Sequence, residues 1–154
     1  MIARIVEARV AHIPEIASRV RDADVLELWS LSCLTPAQAM YYGLNLSKWA
    51  RTGFIGGEAA CMFGIVPVSV VGNVARPWMV GTSLLDRYAK TFLRKCAAEV
   101  EEMQSRYRRL ENYIDARNVR AIAWLEWLGF KMGEIEPVGP FKTPFILFSR
   151  EVSR

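Results

Sequence analysis

Gly81, Thr82 and Ser83 stand between a short apolar stretch, Arg76 to Gly81, and the longest helical stretch of the chain. A strand that runs into a helix start presents backbone N–H groups with no intrahelical acceptor, and such a turn can hold a phosphate. The same residues also read as a plain turn and helix cap, with Ser83 as the cap and Asp86 completing a box-like pair three residues on. Acid–base chemistry has few candidates. Glu58 is the sole carboxylate between Glu27 and Asp86, and it adjoins Gly56-Gly57. Tyr113 and Asp115 lie at the end of another apolar stretch, Leu110 to Ile114. His12 is the single histidine, which excludes a multi-histidine metal site and leaves a dyad, a cap or a surface role. Cys33, Cys61 and Cys96 lie far apart without C-x-x-C spacing, which predicts reduced thiols and no metal centre.

The elements that would position these groups follow from periodicity. Ile2 to Val10 alternates as a half-buried strand. Three helical stretches follow: His12 to Val20, Asp22 to Leu31 with Val25, Leu28 and Trp29 on one face, and a third that opens at Thr35-Pro36. Trp49 to Ile55 and Glu58 to Val66 flank Gly56-Gly57, a hairpin signal. Leu85, Ala89, Phe92, Cys96, Val100, Met103 and Tyr107 form one apolar stripe, predicting a single helix from Ser83 to Tyr107. Asn118 can cap a helix that runs to Gly129, and Phe130 to Ile135 and Phe145 to Arg150 read as closing strands. No repeat or linker divides the 154 residues, so one domain spanning 1–154 is expected. A hydrophobic content of 52% and a charge of +4 argue for a packed globule with at most a mild preference for acidic partners. No export signal and no membrane span is read, because the uncharged runs are broken by Pro67, Gly64 and Asn73 in one case and Pro36 and Gly43 in the other. The arginines from Arg106 to Arg120 read as a solvated face, without the aromatic interleaving of a nucleic-acid binder. Trp124 and Trp127 read as core, with docking of a partner as the alternative.

Asn118-x-x-Ala121-Ile122 followed by Leu128-Gly129-Phe130 resembles the last helix of the GNAT N-acetyltransferase superfamily. The wider pattern, LENYIDARN with WLEWLGF, ADVLELW and PWMVGT, is similar to short GNAT-like proteins of tailed phages and prophages, of the internal virion protein type. The resemblance implies an α/β fold: a GNAT-like mixed central β-sheet with helices on both faces. It also implies a pyrophosphate-binding turn for acetyl-CoA between the fourth strand and the long helix, which places Val80, Gly81, Thr82 and Ser83 there, with Asn118 beside them. The family's turn, R/Q-x-x-G-x-G/A, is not matched by Met79 to Leu84. The tyrosine that acts as general acid in many of these enzymes is replaced by Leu125. A general base would sit on the middle strands, which points to Glu58, with Tyr113 as a further catalytic candidate.

These two departures favour a noncatalytic component of a virion or its assembly, oligomeric there, without a cofactor. Its partners would be portal, core or tail proteins and its location the virion or host cytoplasm. The alternative is an acetyl-CoA-dependent N-acetyltransferase with a divergent phosphate loop; a phage regulator of a host protein is a third reading. A splayed strand near Met79 to Leu84, with free amides and a cleft beside it, would favour the enzyme.

Overall fold

The computed structural model describes residues 3–152. Ile2, where the first strand is expected to begin, lies outside them. Seven strands form one sheet: β1 (Ala3–Glu7), β2 (Trp49–Ile55), β3 (Glu58–Ser69), β4 (Val74–Gly81), β5 (Arg109–Asp115), β6 (Lys131–Val138) and β7 (Thr143–Glu151), in the order β1-β2-β3-β4-β5-β7-β6. The one parallel pair is β4 with β5. The helices are α1 (Ile13–Ala17), α2 (Asp22–Ser32), α3 (Pro36–Leu46), α4 (Leu84–Arg87), α5 (Ala89–Arg106) and α6 (Val119–Trp127).

The strand period of two sends neighbouring side chains of β3 to opposite faces. Met62 packs with Ile13, Ile16 and Met40 of α1 and α3. Phe63 and Ile65 pack with Phe92, Val100 and Met103 of α5. Both faces are therefore covered by helices, as expected. Gly56 and Gly57, both at positive φ, close the β2–β3 hairpin in the way a two-residue turn requires. Thr35 caps α3 in a box with Gln38, and the Asn118 side chain accepts from the Ala121 amide to cap α6. Among the described residues no helix is long and apolar enough to cross a membrane.

Two expectations are corrected. The long helix is broken at Tyr88, whose φ of −119° and ψ of 42° are not helical, so α5 begins at Ala89 and not at Ser83. Leu85 is buried against Gly81 on one side of the break and Phe92 is buried on the other, so the apolar stripe runs across it unaltered. The inward face expected on α2 holds at Leu28 alone, which packs against the cluster of Ile13, Ile16 and Met40. Val25 and Trp29 are exposed, whereas Asp24 and Ser30 point inward and are buried.

Candidate active site

Pairing between β4 and β5 is limited to Val74 with Arg109 and Ala75 with Leu110. Pro77 has no N–H to continue a ladder, and the next link is made by a side chain: Asn112 Nδ2 donates to the Pro77 carbonyl at 2.8 Å. Past that point the strands diverge. The gap between them opens into a cavity of about 220 Å³. Arg21, Asp24 and Glu27 of the α2 region line it, as do Trp78 and Met79 of β4, Asn112 and Tyr113 of β5, and Phe92, Trp124 and Leu125 of α5 and α6. Residues from the helical layers on both faces of the sheet line it, so it runs through the splay between the strands.

Glu27 is an acid–base candidate in this cavity. Its Oε1 accepts from the Asp115 amide at 2.9 Å. Burial is the main cause that pushes its carboxyl up to about 7, with the neighbouring charges of Asp24 and Asp115 acting in the same direction; the bonds from the Asp115 amide and the Asn118 side chain pull the other way. A carboxylate balanced near neutrality can accept a proton from a bound nucleophile and release it again. Asp24 is raised by burial as well, against the opposing effects of Arg21 and of a bond from the Gly81 amide. Asp115 is held low by Arg117, which binds both its carboxylate oxygens.

At the α5 end, Arg21 and Arg120 lie 5.2 and 5.3 Å from the Trp124 ring centre, and each reaches Asp86 Oδ1, at 3.4 and 3.3 Å. The Asp86 side chain therefore serves these ion pairs, and Ser83 makes no side-chain cap. The first turn of α5 carries no acid and Tyr88 supplies no side-chain cap, so the Ala89, Lys90 and Thr91 amides have no intrahelical acceptor. With Arg87 and Lys90 alongside, this helix start favours an anion, and Phe92, one step further on, lines the cavity.

The residues singled out from sequence fall in different places. Tyr113 and Asn118 line the cavity. The Tyr113 hydroxyl is hydrogen-bonded to Glu136, which raises its pKa, so it is committed to β6. Glu58 lies at the hairpin, ion-paired to Arg19 at 2.8 Å, with both side chains about half exposed and neither lining the cavity. Val80, Gly81, Thr82 and Ser83 do not line it either. The Gly81 amide serves Asp24, and the Thr82 amide and hydroxyl both donate to the Ala60 carbonyl at 2.9 Å. The Gly81 and Thr82 donors are thus engaged within the fold, and a second helix start lies later, at Tyr88. His12 bonds Thr52 at 2.8 Å, and Thr52 is wholly buried, so the pair cannot reach a substrate as a dyad. Sequence reasoning missed Glu27. The available signal was the i, i+3, i+4, i+7 set Asp24, Glu27, Leu28 and Leu31, all four of which line the cavity.

No protein-family model and no curated protein sequence matches the chain. Solved structures do. A ribosomal-protein-alanine N-acetyltransferase from Brucella melitensis superposes with a TM-score of 0.74 at 16% identity, over 97% of this chain and 99% of that one. An acetyltransferase of the GNAT family from Streptococcus pneumoniae matches at 0.65 and 15% identity, over 99% and 100%. A spermidine N-acetyltransferase from Vibrio cholerae, in complex with CoA and spermine, matches at 0.70 and 8% identity, over 97% and 95%. The expectation of a scaffold without a cofactor is corrected by this last neighbour, whose fold holds CoA. Nothing in the fold or its neighbours supports a phage, virion or tail role. The chain has the GNAT acetyltransferase fold.

Proposed function

We propose that this chain is an N-acyltransferase that moves an acyl group from a coenzyme A thioester to an amine. The observation that carries the reading is Glu27, balanced near neutrality in a cleft that opens between splayed strands. In the reaction the Glu27 carboxylate accepts the proton of the amine as its nitrogen attacks the thioester carbonyl carbon. The C–S bond breaks, and sulfur leaves as a thiolate that takes a proton from water, because Leu125 supplies none; Glu27 returns its proton to the water, which restores the carboxylate. The products are an amide and a free thiol. The Asp115 amide holds the base in place from β5, and Asn118 ties it to α6. The uncapped start of α5, with Arg87 and Lys90, and Arg120 on α6, suits the phosphates of the donor, which gives the CoA moiety a seat without the glycine-rich turn. The shared fold of acetyltransferases, one of them crystallised with CoA, supports the same reading.

The test is thiol release. Purified protein is mixed with CoA thioesters and a panel of amines, and free thiol is followed with a chromogenic disulfide. Amine-dependent release that Glu27→Gln abolishes, with thioester binding retained, is the expected result. No binding heat with CoA or any thioester at millimolar concentration would overturn the proposal.

A further inference from the structure

We infer that the acyl group carried by the donor is longer than acetyl and that its chain lies in an inner apolar lobe of the cleft, beneath α5. This rests on the acyltransferase reading above. The cleft measures about 220 Å³, and where it leaves the splay its wall is formed by the buried Val100, Met103, Phe130 and Phe148. An apolar cavity of roughly 150 Å³ already admits benzene, whereas the methyl of an acetyl group needs about the share of one water, roughly 30 Å³.

The shape of the lining gives the direction of the lobe. On α5 the cavity touches Phe92, Cys96, Val100 and Met103 in turn. Those eleven steps along the helix span about 16 Å. Arg21, Asp24, Glu27 and Asn118 line it from the α2 side and the start of α6, while the polar groups of β5, Asn112 and Tyr113, are committed to Pro77 and Glu136, so the reacting carbonyl belongs at the α2 end. Toward Met103 the walls are mainly apolar: Phe148 of β7 contributes a buried ring, and Asn112, its register partner on β5, is bonded to the Pro77 carbonyl. The charged residue that α5 turns to this cavity, Glu99, is neutralised by Arg51 at 2.5 Å. A straight hydrocarbon chain attached at the splay would enter a lined apolar space, with no charge of the wall left without a partner. A short acyl group would leave that space unfilled.

Calorimetric titration of the full chain with CoA, acetyl-CoA, hexanoyl-CoA and octanoyl-CoA tests this directly. The dissociation constant should fall along the series by up to about fourfold per methylene buried. Val100→Trp, which fills the far end of the lobe, should return octanoyl-CoA toward the affinity of acetyl-CoA. If that variant fails to fold, the wild-type series decides alone. Acetyl-CoA binding as tightly as octanoyl-CoA, or more tightly, would overturn the long-chain inference and leave the acyltransferase reading intact. A protein that binds none of the four compounds would overturn both.

Discussion

Replacing the proposed base should make this protein more stable, and only above its acid range. Glu27 has a folded-state pKa of about 7, against 4.5 for the free side chain, with burial as the main cause. A carboxyl raised on folding binds more protons in the native state than in the unfolded one between those two values, so stability falls as pH rises through that window. By pH 8 the ionised, buried carboxylate costs about 3 kcal/mol, at roughly 1.36 kcal/mol per pKa unit. Glu27→Gln removes the charge and keeps an oxygen able to accept from the Asp115 amide. The variant should therefore unfold later than wild type at pH 8 by about 6–12 °C, taking roughly 2–4 °C per kcal/mol for a domain of this size. At pH 4.5 the difference should nearly vanish. Paired thermal melts at pH 4.5, 6 and 8 measure this. An equal gain at every pH would refute burial of charge as its cause, and a loss at pH 8 would show that the carboxylate is favourably placed. The same variant should lose acyl transfer, since stability and activity at a strained acidic site trade against each other.

Asn118 bonds Glu27 and caps α6 at once. Asn118→Ala should lower stability by about 1 kcal/mol through the lost cap. Because the bond holds the Glu27 pKa down, its loss should also move the rising limb of the pH–rate profile to higher pH. Gly43→Ala would place a Cβ 2.5 Å from the Trp78 ring, which is itself tied to Ser47 Oγ by a 2.7 Å bond. Overpacking of this kind should cost about 1–3 kcal/mol in urea denaturation. Lys90→Glu at the start of α5 should weaken CoA binding about tenfold at low salt and flatten its dependence on ionic strength, read by calorimetry.

The element order and the two-faced core were legible because they rest on local patterns that the tertiary structure obeys. The glycine pair of the hairpin and the Asn118 cap each act within a few residues of themselves. The site was much less legible, for three separate physical reasons. The break at Tyr88 leaves the apolar stripe of Leu85, Phe92 and Val100 continuous, so periodicity merges two helices and puts the anion-seeking end several residues too early. The splay depends on what β4 fails to pair with, and Pro77 marks it in the sequence only once β5 is known to be the neighbour.

The third reason concerns α2 and is the most instructive. Of the residues expected to form its inward face, Val25 and Trp29 are exposed, while Asp24 is buried and Glu27 lines the cleft beside the third, Leu28. Burial of two acids is unfavourable unless partners compensate. Here Arg21 and the Gly81 amide compensate Asp24, and the Asp115 amide with Asn118 compensates Glu27. Arg21 directly precedes α2, but the others come from the end of β4, from β5 and from the turn before α6, far apart in the chain. An acid–base site assembled from four segments leaves no short motif, and the groups that reveal it are the ones whose local pattern conflicts with where they lie. In this fold the conflict itself points to the proposed base: Glu27 faces the cleft beside Leu28 and Leu31 on a helix that leaves Val25, Leu26 and Trp29 exposed, and burial is the main cause of its raised pKa.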